Sequence, residues 1–276
     1  MDEAPRSVGP RGFSGVDQSG SPDQFVQYLD AALALPAFVE WKRRVFERTR
    51  VSRGLRVLDV GCGTGEDSVV LAKAVGDEGL VLGVDISQTM VEEARKRAGG
   101  GFRNLRFEVR SALDLGLPDA SFDRVRSDRL LQHLSDPRAA LREMVRVVKP
   151  GGWVTVGDFD WGPPIIDSDD SSLAQRLLSQ AVGSFTNPWS GRRLFALMKS
   201  VGLQKVAWEV FPFPFPDFGA FRMALMFDTA IQNAVRSGSI SQTDANLWMR
   251  EQEERSRDER FLCLTLGFIA SGLREP

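Results

Sequence analysis

The chain has 276 residues, 42% hydrophobic and 26% charged, the balance of an ordinary globular protein built as one large domain with additions. Its formal net charge of −2 gives no overall attraction to phosphate backbones or anionic lipid, so neither nucleic acid nor a membrane is expected as a partner. One histidine and two distant cysteines, Cys62 and Cys263, cannot supply a zinc site by themselves and make a disulfide framework unexpected; no metal and a reducing cytoplasm are the expectations.

Residues 1–21 are rich in Gly, Pro and Ser and read as a disordered tail without the basic and apolar regions of a secretory signal. From residue 22 to about 50, Phe25, Leu29 and Leu33, then Phe38, Trp41 and Val45, recur at helical spacing, with Pro36 dividing two helices. Strands at 56–60, 80–84 and 105–109 then alternate with helices at 67–75 and 87–98, which implies a parallel sheet covered on both faces. A fourth strand is expected at 122–126. Asp136 and Pro137 suit the start of the next helix, which Pro150, Gly151 and Gly152 end before a fifth strand at 153–156. Beyond lie a helical stretch at 172–201, a strand at 204–211, an inserted helical segment at 217–257 and a last strand at 261–270. The longest apolar runs, 29–39 and 261–269, are too short to cross a bilayer.

The chemistry is concentrated after the first strand. Gly61, Gly63 and Gly65 allow a sharp turn with backbone close to a ligand before a helix begins. Asp85, at the end of the second strand, is placed to accept hydrogen bonds from ribose hydroxyls. A dinucleotide fingerprint would want a small residue at position 66, where pyrophosphate meets the helix, but Glu66 stands there and would repel it. A sulfonium cofactor with an amino-acid tail carries no phosphate to repel.

The run from Val57 to Gly65 (VLDVGCGTG), followed by Gly83-Val84-Asp85-Ile86-Ser87, resembles the first two motifs of class I S-adenosylmethionine-dependent methyltransferases. Leu117-Pro118-Asp119-Ala120-Ser121-Phe122-Asp123, His133-Leu134-Ser135-Asp136-Pro137 and Val147-Val148-Lys149-Pro150-Gly151-Gly152 resemble the branch containing ubiquinone and menaquinone C-methyltransferases and bacterial small-molecule and natural-product methyltransferases. The likeness is specific over about 50–160 and looser beyond. It implies an α/β fold: a Rossmann-like, doubly wound seven-stranded sheet, the last strand antiparallel, with a helical lid. The lid would comprise 22–50 and insertions at about 161–190 and 217–258, the cofactor-binding core 51–160, and the rest of the core 161–276.

The resemblance also implies site residues. Asp59 and the backbone of Gly61 and Gly63 would hold the methionine part of S-adenosylmethionine, with Gly65 completing the turn. Asp85 would bind the ribose, Ile86 and Met90 would pack on the adenine, and Ala112 and Leu113 would border it. Relatives usually carry an aspartate before that alanine; Ser111 here could accept the adenine amino group more weakly. Ser127 and Asp128 would lie near the methyl donor.

Methyl transfer from a sulfonium needs positioning, exclusion of water and, where the nucleophile bears a proton, its removal. His133, after the fourth strand, is a candidate base, or else the support of a helix start. Asp158 and Asp160 are candidate bases or substrate-orienting groups, or else residues of a solvated loop. Tyr28 could reach cofactor or substrate from a lid helix, or simply pack. Phe211, Phe213 and Phe215 alternate with Pro212, Pro214 and Pro216, which permits at most an edge strand with its phenylalanines on one side, either as core or as the wall of an apolar pocket. Arg192 and Arg193 could bind an acidic group or be solvated. The expected function is methylation of a mid-sized apolar or aromatic small molecule by a monomer or homodimer; a protein methyltransferase and a catalytically silent cofactor-binding module are the alternatives.

Overall fold

A computed structural model describes residues 12–183 and 185–276. A kinked 3₁₀ segment, Gly12–Gln18, leads into α1 (Pro22–Leu33) and α2 (Pro36–Thr49), each opening on a proline at its first turn. There follow β1 (Arg56–Val60), α3 (Glu66–Val75), β2 (Leu80–Asp85), α4 (Gln88–Ala98), β3 (Leu105–Val109), β4 (Phe122–Asp128) and α5 (Pro137–Val147). The second half comprises β5 (Val148–Ile166), α6 (Ser171–Val182), α7 (Ser190–Ser200), β6 (Gln204–Pro214), α8 (Phe218–Leu225), α9 (Phe227–Arg236), α10 (Gln242–Arg257) and β7 (Cys263–Leu273).

The strands form one seven-stranded sheet in the order β3-β2-β1-β4-β5-β7-β6. β7 runs antiparallel to both its neighbours, whereas β1, β2, β3, β4 and β5 pair in parallel. This is the doubly wound sheet expected, with the last strand reversed. Its winding changes direction between β1 and β4, so the loops after these two strands diverge and open a crevice at their carboxyl ends.

Two large cores hold the molecule together. One lies under α5 and α7 and is aliphatic, with Leu58, Val125, Leu141, Met144 and Val156 all fully buried. The other is aromatic and joins α2, α6 and α8–α10 to β5, β6 and β7. Trp41 stacks on Phe159 at a centroid distance of 4.9 Å. The flat indole needs bare backbone beneath it: a Cβ on Gly267, the cross-strand partner of Phe159, would meet Trp41 Cζ3 at 2.3 Å, and one on Gly157 would meet Trp41 Cζ2 at 2.8 Å.

Several expectations need correction. β5 is far longer than 153–156 and pairs with β7 as far as Ile166↔Cys263, with an irregularity between Asp160 and Ile165, so Asp158 and Asp160 are strand residues and not loop residues. The helical stretch at 172–201 is two helices, because Asn187 and Pro188 give their backbone to other partners, Gln132 O and Trp161 N. The disordered tail expected over 1–21 is also corrected where the structure describes it. Asp17 caps α4, accepting from Ser87 Oγ at 2.6 Å and Gln88 N at 2.8 Å, and Val16 is buried. Residues 1–11 lie outside the described residues.

Candidate active site

A cavity of about 420 Å³ occupies the crevice between the ends of β1 and β4 and runs under α1 and α8. Its lining includes Asp59, Gly61, Gly63, Asp85, Ile86, Met90, Ser111, Ala112 and Leu113, together with Tyr28 and His133.

The glycine turn forms one end. Gly61, Gly63 and Gly65 all have positive φ, at 74°, 51° and 88°. Gly61 N and Cys62 N both donate to Val84 O, which ties the turn to β2. Gly65 does not line the cavity: a Cβ there would meet Ala94 Cβ at 2.8 Å and Phe107 Cζ at 2.9 Å, so it serves the packing of the turn on α4 and β3. Asp85 accepts from Gly63 N and Ser87 N, both at 3.0 Å, one on each oxygen. A carboxylate has about four acceptor positions. Main chain uses two, which leaves a pair on one carboxylate, the requirement of a vicinal diol. Burial pushes the Asp85 carboxyl up, opposed by these two hydrogen bonds.

Behind the turn lies a buried charge cluster. Asp59 accepts from Ser68 Oγ at 2.7 Å and lies 3.6 Å from Arg126 Nε. Arg126 reaches Asp67 at 2.9 Å, and Lys42 reaches both Asp67 and Asp128 at 2.6 Å. Trp41 Nε1 donates to Asp128. Three carboxylates thus face two cations, and the surplus negative charge suits the ammonium group of an amino-acid tail. Although burial opposes it, Lys42 and Arg126 hold the Asp67 carboxyl well below the ordinary range, whereas burial raises Asp59. Glu66 lines the cavity too, but Arg97 pairs with it and Thr64 Oγ1 donates to it at 2.8 Å.

Ile86 is 55% exposed at the mouth, and Met90 is buried beside Val16 and Phe25. Ser111 Oγ accepts from Leu113 N at 3.2 Å, so part of its hydrogen-bonding capacity is spent within its own turn. Ser127 is fully buried, with its Oγ unpartnered among the described residues, and does not line the cavity. In the register it lies between Val60 and Val156, which carries it into the sheet interior, while Asp128 is cavity-lining.

The other half of the cavity is aromatic: Phe38, Phe159, Trp161, Phe185, Phe213 and Phe215 line it, with Met223 and Met226. Phe211 and Phe213 of the edge strand β6 and Phe215 just beyond it are buried, and Phe213 and Phe215 form pocket wall. Tyr28 Oη donates to Ala224 O at 3.0 Å, joining α1 to α8 over the cavity.

The candidate bases separate. His133, on the turn Leu131–His133, lines the cavity and lies 5.1 Å from the Phe13 ring. Its Nε2 is 3.1 Å from the Gln132 side-chain nitrogen. Asp158 and Asp160 do not line the cavity, because they belong to the interior of the extended β5. Asp158 is fully buried and accepts from Gln132 N at 2.9 Å and Ser190 Oγ at 2.8 Å; burial pushes its carboxyl up to about 7. Asp160 binds Arg192 through both oxygens, so Arg192 is neutralised away from the site. Lys42 and Arg129 line the cavity but were not singled out by sequence reasoning; the charged pair Asp128-Arg129 at the carboxyl end of the fourth strand is the signal that marks the second.

Residues 51–200 match the methyltransferase domain family. The chain is 33% identical over 235 residues to an uncharacterized 37.1 kDa protein in transposon TN4556 of Streptomyces fradiae, spanning 85% of this chain and 68% of that one. It is 29% identical over 230 residues to demethylmenaquinone methyltransferase of Listeria monocytogenes, spanning 81% and 91%. Phosphoethanolamine N-methyltransferase 2 of Haemonchus contortus, solved with S-adenosyl-L-methionine, has the same fold, with a TM-score of 0.56 at 18% identity over 86% of this chain and 53% of that one. The family match spans more than half the sequence and takes in the glycine turn, Asp85 and the strand that completes the crevice: the chain belongs to the S-adenosylmethionine-dependent methyltransferase family.

Proposed function

We propose that this methyltransferase acts on a mid-sized, apolar or aromatic small molecule. The observation that carries the reading is the continuity of one cavity, in which a polar end built on the glycine turn runs into an aromatic end under α1 and α8. Likeness to a demethylmenaquinone methyltransferase supports an acceptor of quinone type.

Asp85 would hold the ribose hydroxyls, Ile86, Met90, Ala112 and Leu113 the adenine, and Asp59 with the Gly61–Gly63 backbone the amino-acid tail. When bound, S-adenosylmethionine supplies a methyl group on a positively charged sulfur. The residues of this chain then orient the acceptor against it and keep water out, chiefly through Phe38, Phe159, Trp161, Phe213 and the Tyr28–Ala224 bridge. No group of the aromatic wall is a base. A nucleophile that carries no proton at the moment of reaction fits this lining.

The test is incubation with labelled S-adenosylmethionine and a panel of aromatic metabolites and quinols, followed by protein precipitation. Label in a soluble product is the expected result. Label in the pellet would replace this reading by a protein methyltransferase, and cofactor binding with no turnover of any acceptor would leave a silent binding module.

A further inference from the structure

We propose that Arg129 selects an acidic acceptor, its guanidinium taking an ionised carboxylate or phenolate on the apolar molecule to be methylated. This rests on the small-molecule reading of the cavity and names the acceptor's chemical class.

Arg129 follows β4 directly and has φ +57°, a conformation that disfavours an L side chain by about 1–2 kcal/mol. Its backbone is held there from both sides: its N–H donates to Gly157 O at 2.8 Å and its carbonyl accepts from Gln132 Nε2 at 3.3 Å. The turn sends consecutive side chains to different walls. Leu130 fills the space beside Gly61, where a Cβ would meet its Cδ1 at 2.9 Å, whereas the Arg129 guanidinium carbon lies 4.7 Å from the centroid of Phe38. Leu130 therefore belongs to the glycine-turn end, and Arg129 to the aromatic end.

Among the described residues, three cations line the cavity: Lys42, Arg110 and Arg129. Lys42 is bound to Asp67 and Asp128, and Arg110 to Glu108 at 2.7 Å. Among the described residues, Arg129 has no carboxylate within ion-pair distance, and its buried Nε has no hydrogen-bond partner. A half-buried guanidinium held over an aromatic ring and left without an anion is unfavourable unless the ligand supplies one. Tyr28 does not compete for such a ligand as a donor, since its proton is given to Ala224 O. Arg remains charged at all relevant pH, and its planar fork matches a carboxylate in two-point contact.

The cofactor's own carboxylate offers the same chemistry, and a binding experiment separates the two sources. The protein is saturated with S-adenosylhomocysteine and titrated calorimetrically with 2-naphthoate and with uncharged 2-naphthamide, for wild type, Arg129→Met and Arg129→Lys. Wild type should bind naphthoate about tenfold or more tighter than the amide, the worth of one charge-assisted hydrogen bond. Arg129→Met should abolish that preference with S-adenosylhomocysteine affinity held, and Arg129→Lys should keep part of it. Equal binding of the two probes by wild type, or binding of neither, overturns the proposal without any variant. So does an Arg129→Met protein that loses S-adenosylhomocysteine and naphthoate affinity by the same factor, which would give the guanidinium to the cofactor. Failure of wild type to bind S-adenosylhomocysteine would overturn the reading of the cavity itself, and this inference with it.

Discussion

The indole Nε1 of Trp161 donates to the Gln132 side-chain oxygen at 2.6 Å, and this contact orients the Gln132 amide toward a third residue. An indole N–H can only donate, so the Gln132 oxygen faces Trp161 and its amide nitrogen faces His133 Nε2. His133 Nε2 is then an acceptor, already engaged. We expect His133→Gln to keep more than a tenth of wild-type turnover with an unchanged pH profile, since loss of a general base removes about 10²–10⁴ in rate. Steady-state kinetics from pH 5.5 to 9 checks this; a loss in that range with a missing acidic limb would make His133 the base.

Asp85 lines the cavity and accepts main-chain hydrogen bonds from Gly63 and Ser87. Asp85→Ala should weaken S-adenosylhomocysteine binding by about 2 kcal/mol, roughly 30-fold, through loss of charge-assisted hydrogen bonds. Calorimetry reads this directly, and unchanged affinity would remove Asp85 from the cofactor site.

The buried Asp158 carboxyl, raised to about 7, binds a proton in the folded state that the unfolded chain has already released above the ordinary carboxylate value near pH 4. Its contribution to stability is therefore full below about pH 4 and is lost as pH rises through about 7. Asp158→Asn keeps an acceptor for Gln132 N and Ser190 Oγ and removes the titration. Melting temperatures from pH 5 to 8 should show the variant gaining on wild type as pH rises. A constant difference would contradict the raised ionisation.

Tyr28→Phe removes the bond from α1 to Ala224 on α8 while leaving the ring in place. We expect a loss of about 1 kcal/mol in lid closure, seen as S-adenosylhomocysteine dissociating roughly fivefold faster in stopped flow. An unchanged rate would mean that the cavity opens elsewhere.

Gly65→Ala tests the turn from the packing side. Its φ of +88° and the 2.8 Å approach to Ala94 Cβ should together destabilise the fold by about 2–4 kcal/mol, measured by denaturant unfolding.

The parallel half of the fold was legible because β1 and β2 are short apolar runs closed by Gly61 and by Asp85, and Ser87 and Asp136 cap the helices that follow β2 and β4. The polar end of the cavity was legible for the same reason: Gly61, Gly63 and Asp85 are fixed by local backbone and by position at strand ends. The length of β5 was not. Gly157, Gly162 and the prolines at 163 and 164 erase the alternation that marks a strand, and only pairing with β7, more than 90 residues later, keeps it extended. That error displaced Asp158 and Asp160 from the strand to a loop. Lys42 and Arg129 escaped notice because charges are common along helices and at strand ends, and which of them face a cavity depends on lid helices packed from both ends of the chain.

The alternating prolines of β6 also bear on how copies of the protein can meet. Phe215 N donates inward to Cys263 O on β7, so every second residue before it points its nitrogen the same way, and Pro212 and Pro214 point theirs outward. Along that outer margin two hydrogen-bond donors are missing in succession. An arriving strand would find carbonyls with no matching N–H groups, and growth of the sheet from one molecule into the next is blocked at this end of the β6 edge. The aromatic wall of the cavity, which lies at this end of β6, is thereby kept out of reach of strand-to-strand aggregation.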